Sequence, residues 1–146
     1  MMRPARLTDV DALLAIEAAC FPGDRITRRS FVRLLTRAKA DLWVDEGSGT
    51  LRGYVLVLYR SNSRKARIYS IATAPAFHGQ GVGARLLLAA EAAARTRACA
   101  ELRLEIRTDN RPSQALFAKH GYQVFGRHPA YYEDGQDALR LSKPLS

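Results

Sequence analysis

Cysteine, histidine and lysine are all scarce in this chain, and each shortage removes a class of protein. Two cysteines in 146 residues, Cys20 and Cys99, make neither a disulfide framework nor a metal site. Both read as small buried residues. Three histidines, His78, His120 and His128, stand without ligand spacing, so no metal is expected. Long apolar runs are missing too. The one around Leu86 to Ala94 is broken by Glu91 and falls short of the roughly 20 residues that span a bilayer. The opening Met1-Met2-Arg3-Pro4-Ala5-Arg6 carries no apolar secretory segment. A cytoplasmic protein with no membrane association is the expectation. No linker rich in proline, glycine or serine divides the chain and nothing in it repeats, so residues 1–146 read as one domain.

What the chain has instead is arginine. Basic residues outnumber acidic ones 23 to 14, for a net charge of +9, and only Lys39, Lys65, Lys119 and Lys143 are lysines. Such a field attracts an anionic partner: a nucleotide-bearing cofactor, RNA or an acidic protein surface. Arginine suits bidentate phosphate contacts, although genomic codon bias produces the same composition. No recognised RNA-binding module accompanies the charge.

Periodicity orders the elements. Thr8-Asp9-Val10-Asp11 resembles a capping box opening a helix with Leu13, Leu14 and Ile16, stopped by Phe21-Pro22-Gly23-Asp24. Thr27 caps a second helix with Phe31, Leu34 and Leu35 on one face. Leu42-Trp43-Val44 and Leu51 to Tyr59 form a hairpin about Glu46-Gly47-Ser48-Gly49, and Arg67 to Thr73 is a further strand closed by Pro75. An Ala/Leu-rich helix runs from Val82 to about Ala98. Glu101 to Arg107 alternates, with Leu102, Leu104 and Ile106 on one face and Arg103, Glu105 and Arg107 on the other. Asn110 caps another helix that Gly121 ends. Tyr122 to Phe125 and Asp137 to Leu141 close the sheet around a Tyr-rich loop. The order is βααβββαβαββ, with one parallel βαβ unit in an otherwise antiparallel sheet.

Inside that unit lies His78-Gly79-Gln80-Gly81-Val82-Gly83, where a strand feeds a helix. Glycines there admit a ligand close to the backbone, and the helix's free N–H groups suit a phosphate or pyrophosphate. A ligand-free tight turn has the same pattern. No Gly-Lys-Ser/Thr is present, so a P-loop is excluded, and the spacing is not that of a dinucleotide fold.

The stretch Ile71-Ala72-Thr73-Ala74-Pro75-Ala76-Phe77-His78-Gly79-Gln80-Gly81-Val82-Gly83-Ala84 resembles the acetyl-CoA motif of the GNAT superfamily, Gln/Arg-x-x-Gly-x-Gly/Ala, with His78 replacing the first residue. Leu104-Glu105-Ile106-Arg107-Thr108-Asp109-Asn110, Ala115-Leu116-Phe117, Gly121-Tyr122, Arg127, Tyr131-Tyr132, Asp134-Gly135 and Asp137-Ala138 are similar to bacterial ribosomal-protein alanine N-acetyltransferases. The resemblance covers nearly the whole chain. It implies an α/β (α+β) GNAT fold: a mixed, mostly antiparallel, twisted sheet of six to seven strands with about four helices. It implies acetyl-CoA as cosubstrate, held by Ile71, Ala72, Thr73, His78, Gly79, Gln80, Gly81, Val82, Gly83, Ala84, Asn110 and Phe117.

Acetyl transfer needs a base for the amine, a donor for the developing oxyanion and an acid for the thiolate. By spacing alone Glu105 is equally a salt-bridged strand residue; the resemblance makes it the base. Where the resembling enzymes carry a general-acid Tyr, this chain has Phe117, which has no proton to give. Tyr131 and Tyr132, in the loop that the resemblance places over the acceptor, are the candidate substitutes. An α-amine near ~7.8 is easier to present neutral than a lysine amine near ~10.4, by about 3.5 kcal/mol. The expected acceptor is therefore a peptide or protein N-terminus, with a small amine as the alternative and a non-catalytic CoA-binding or RNA-associated module as the reading from another class. A monomer or homodimer is expected.

Overall fold

The computed structural model describes residues 1–23 and 25–145; Asp24, in the expected helix stop, and Ser146 lie outside them. The strands are β1 (Met2–Pro4), β2 (Ala40–Gly47), β3 (Thr50–Leu58), β4 (Lys65–Thr73), β5 (Glu101–Arg107), β6 (Gln123–His128) and β7 (Ala138–Pro144). The helices are α1 (Val10–Cys20), α2 (Arg28–Leu35), α3 (Val82–Thr96) and α4 (Arg111–Lys119). The element order is the expected one. The seven strands form one sheet in the order β1-β2-β3-β4-β5-β7-β6. All its neighbours are antiparallel except β4 and β5.

Alternation along the strands divides the core. On β3, Tyr54 and Leu56 face α1 and α2, packing with Leu13, Ile16, Phe31 and Leu34. Val55 and Val57 face the other way, with Leu86, Leu87, Ala90 and Phe117 of α3 and α4. A strand covered on both faces becomes a continuous apolar run, which is why Tyr54-Val55-Leu56-Val57-Leu58 lacks alternation. The eight-residue α2 is too short to stand alone. Burial of Phe31 and Leu34, at about 1.5–3 kcal/mol each, holds it against the sheet. The Thr27 side chain, accepting from the Ser30 N–H, starts it.

Details at element ends differ from expectation. Asp9 does not cap forward; its carboxylate turns back to the Arg6 N–H (2.7 Å) and pairs with Arg3. A 3₁₀ turn at Leu7–Asp9 consequently precedes α1. Tyr122 is a core residue ahead of β6 rather than its first residue. Its hydroxyl donates to the buried Glu91 (2.8 Å), which Lys143 also meets at 3.1 Å.

Gly53 marks the tightest junction of β3, β4 and α3. A Cβ there would lie 2.6 Å from the Ala72 carbonyl oxygen and 3.0 Å from both Leu86 and Val82. Gly53→Ala should lower unfolding free energy by about 1–3 kcal/mol in urea denaturation. An unchanged midpoint would mean that the junction yields more readily than its packing indicates.

Candidate active site

The site begins where the sheet opens. β4 and β5 pair only at Lys65↔Glu101, Ala66↔Leu102 and Arg67↔Arg103, although both strands run on. The divergence coincides with a bulge in β4. Val57 faces Ile68 and Leu56 faces Ser70, leaving Tyr69 as an extra residue. A bulge bends its strand and sharpens its twist, which carries the far half of β4 away from β5. Ala74 N–H bonds Arg52 on the β3 side (2.8 Å). By ladder alternation, Ile71 and Thr73 then direct their peptide groups toward the gap. The result is a cleft edged by backbone amide groups.

At the end of β4 the chain turns through Pro75–Phe77 into the glycine loop. The His78 ring Nε2 donates to the Thr73 carbonyl (3.0 Å), tying loop to strand. Gly79 and Gly81 have φ of +78° and +76°, a left-handed backbone that disfavours other residues. Gly81 is the N-cap of α3, and the first helical bond runs from the Arg85 N–H to its carbonyl. Val82, Gly83 and Ala84 therefore project N–H groups with no intrahelical acceptor at the positive end of the helix dipole. At Gly83 a Cβ would approach Leu116 to 3.1 Å, so glycine lets α3 start against α4. These donors fit a diphosphate.

Arg85 sets the loop from behind. Its guanidinium donates to the Gln80 carbonyl (3.1 Å) and to Asp45 Oδ2 (3.0 Å). Asp45 is fully buried on β2 and also accepts from Arg52 at 3.0 Å. Burial alone would raise its pKa, but the hydrogen bonds from Arg85 and Arg52 outweigh that and hold it below the usual carboxylate range.

Across the cleft, Glu105 lies on β5, its side chain only 11% exposed. Arg67 Nη2 is 2.7 Å from Oε1 and Arg140 Nε is 3.8 Å from Oε2. The Arg67 N–H is not aimed along that short contact, so Glu105 Oε1 is held by charge rather than by an aligned hydrogen bond. Arg67 instead donates to the Tyr131 hydroxyl (2.9 Å). Tyr131 meets Tyr132 edge-on (5.0 Å, 84°), and Tyr132 lies under the Arg107 guanidinium. Arg107 pairs with Asp109 and Asp134, and Thr108 donates to Gln136, which fastens the Tyr-bearing loop to the end of β5. The Tyr132 hydroxyl is pushed up to about 12, by burial first and then by Tyr131 and Glu105, against the pull of Arg107 and Arg67.

The residues picked from the sequence thus fall into two groups. Ile71, Ala72, Thr73 and His78 to Ala84 form the β4 edge and the loop; Glu105, Tyr131 and Tyr132 gather around Arg67. Asn110 caps α4 by accepting the Ser113 N–H (3.3 Å). Phe117 is 1% exposed, edge-on to Tyr122 at 5.3 Å, and in this conformation has no surface to offer a ligand. Sequence reasoning missed Arg67, Asp45 and Arg85. No local pattern marks the pairs Arg67–Glu105 and Arg85–Asp45, whose members lie 38 and 40 residues apart. Among the described residues there is no cluster of three or more metal-ligating side chains and no helix long and apolar enough to cross a membrane.

A sheet opened at one parallel pair, with a glycine turn and free N–H groups at the head of the helix that follows, defines a GNAT-type transferase scaffold. The acetyltransferase (GNAT) family pattern matches residues 10–122, and the chain belongs to that family. A Bacillus subtilis (strain 168) relative, named as a candidate ribosomal protein bS18-alanine N-acetyltransferase, is 34% identical over 139 residues, 94% of this chain and 91% of its own. An N-alpha-acetyltransferase of Sulfurisphaera tokodaii is 31% identical over 99% of this chain and 92% of its own. The crystal structure of Ard1 from Thermoplasma volcanium superimposes with a TM-score of 0.91 over all of this chain and 97% of its own, at 23% identity.

Asp45→Asn should cost about 3 kcal/mol, the low end for breaking a buried pair because Arg85 is partly exposed. Since the folded pKa of Asp45 is depressed, its contribution is full at neutral pH and is lost as pH falls through the lowered value. The gap between the urea midpoints of wild type and variant should be full at pH 7 and narrow progressively as pH falls below the free-Asp value of about 3.9. A constant gap would remove Asp45 as a source of acid sensitivity.

Proposed function

We propose that this protein transfers an acetyl group from acetyl-CoA to the N-terminal α-amine of a peptide or protein, with Glu105 as general base. The observation that carries this reading is the place of Glu105 at the open stretch of the sheet, a largely buried carboxylate paired with Arg67 at 2.7 Å beside the tyrosine-bearing loop. An incoming amine that shares or displaces the Arg67 contact would find there a carboxylate oxygen to take its N–H and then its proton. The two relatives named as N-acetyltransferases, one of alanine and one of α-amines, supply the acceptor class.

When bound, acetyl-CoA supplies the thioester carbonyl that the amine attacks. The N–H groups of Val82, Gly83 and Ala84 would hold its diphosphate, and the Ile71 peptide groups and the Thr73 N–H its amide-bearing arm. Arg67 keeps Tyr131 against the acceptor side, and Arg107 does the same for Tyr132. A phenol near 12 is too weak an acid to protonate a thiolate of about 8.5 outright. Tyr132 therefore serves the leaving sulfur as a hydrogen-bond donor, and the thiolate departs on its own acidity. This removes the need for a hydroxyl at Phe117. The acidity gap between α-amines and lysine favours the N-terminus as acceptor, since a lone carboxylate base has about 3.5 kcal/mol less to overcome there.

Glu105→Gln should reduce kcat about 100-fold or more while leaving the acetyl-CoA KM within a factor of about two. CoA release from acetyl-CoA, assayed with free and N-terminally blocked copies of the same peptides and with small amines, checks both base and acceptor. Turnover that survives blocking, or occurs with small amines alone, would sink the α-amine assignment. An active Gln variant would remove Glu105 as base.

A further inference from the structure

A buried chain of hydrogen bonds leads from α1 to the face of the sheet that carries Glu105. Glu17, 2% exposed, accepts the Ile26 N–H on Oε1 (2.6 Å) and the Tyr54 hydroxyl on Oε2 (2.6 Å). The Tyr54 ring is fully buried and stands edge-on to Phe31 at 5.9 Å, so its hydroxyl cannot turn elsewhere. The Tyr54 oxygen is 2.7 Å from Ser70 Oγ. A phenol has one proton, and Tyr54 gives its proton to a carboxylate whose two oxygens both act as acceptors. The proton between Tyr54 and Ser70 must then come from Ser70. The Ser70 hydroxyl proton is thereby turned inward, which leaves both lone pairs of Oγ free to accept. A chain that ends on a carboxylate polarises each member and strengthens Ser70 as an acceptor.

The position of Ser70 gives that orientation a use. It follows the Tyr69 bulge, at the point where β4 has left β5. Meeting Tyr54, it lies on the α1–α2 face of the sheet. Glu105 projects from the same face, because its neighbours Leu104 and Ile106 point into the α3 core. Ser70 is half-buried rather than sealed. The opened cleft thus has one acceptor on each bank: Ser70 Oγ on β4 and Glu105 Oε1 on β5.

We propose that Ser70 Oγ accepts a second N–H of the substrate amine, opposite Glu105, and that Tyr54 and Glu17 are positioning residues that keep it an acceptor. This rests on the acetylation of α-amines proposed above. A primary ammonium has N–H groups for both banks at once, and two fixed acceptors orient its nitrogen in the cleft. One acceptor would leave it free to swivel, and orientation is a large part of what an enzyme contributes.

Steady-state kinetics with a free-N-terminal peptide, for wild type, Ser70→Ala, Ser70→Thr and Tyr54→Phe, tests this. Ser70→Ala should lower kcat/KM for the peptide about tenfold, a hydrogen bond's worth, with the acetyl-CoA KM unchanged. Ser70→Thr keeps the hydroxyl and should restore most of the loss. Tyr54→Phe frees the Ser70 proton to point outward and should resemble Ser70→Ala. If Tyr54→Phe does not fold, the Ala and Thr variants decide the matter alone. Wild-type peptide kinetics in Ser70→Ala, with or without a lowered melting temperature, would overturn the inference and leave the α-amine reading standing. No peptide turnover by the wild type would overturn both.

Discussion

Three residue pairs hold β4 to β5, and the break after Arg67↔Arg103 governs everything that follows. Closing the sheet further would pair the peptide groups of Ile71 and Thr73 with β5 and bury the Glu105 bank against a neighbouring strand. The open sheet keeps the Ile71 peptide groups and the Thr73 N–H available, the Thr73 carbonyl being taken by His78 and Cys20, and leaves a cleft between two rigid edges. It is stable because both sides are secured elsewhere: β4 by β3, and β5 by β7 along all seven of its residues. α3 bridges the two halves from one face, burying Val82, Leu86, Leu87 and Ala90 under the junction. The helix that closes the βαβ unit therefore also carries its free N-terminal N–H groups to the mouth of the cleft.

Three buried carboxylates stabilise the geometry around that cleft, and each binds elements that are distant in sequence. Asp45 joins β2 to the first turn of α3 through Arg85 and so to the Gln80 carbonyl. Glu17 joins α1 to the start of α2 and to β3. Glu91 joins α3 to Tyr122 and Lys143 at the far end of the sheet. Buried ionic groups are a weak source of net stability, since desolvation offsets most of the attraction. Their value lies in direction: apolar packing tolerates small slides, whereas a carboxylate with two partners at under 3 Å does not.

The arginine bias acquires a structural meaning as well. Arg3 grips Asp9 with two nitrogens, Arg97 does the same with Asp41, and Arg107 spans Asp109 and Asp134. Arg97 lies over the Tyr59 ring, and Arg103 and Arg140 both lie over Phe125. Such forked and stacked contacts suit a planar guanidinium far better than an ammonium. These contacts account for the preference for arginine over lysine and not for the net charge, since each ion pair cancels one charge of each sign and leaves the excess of +9 untouched.

Much of the architecture was legible in the chain by itself. The alternation of Glu101 to Arg107, the Thr27 and Asn110 caps and the glycines at the head of α3 are local signals, written within a few residues of where they act. They determined the element order, the parallel unit and the glycine turn, and the resemblance they carry pointed to Glu105. Other features were out of reach. A bulge at Tyr69 depends on how β4 settles against β3; burial of Phe117 and Tyr122 depends on how α4 and β6 close on α3. Whether Glu105 Oε1 keeps a donor, whether Arg67 reaches Tyr131, and which way the Ser70 proton points are decided by groups tens of residues apart. Periodicity is a property of neighbours in the chain, whereas the chemistry of the cleft belongs to neighbours in space, and only folding brings those together.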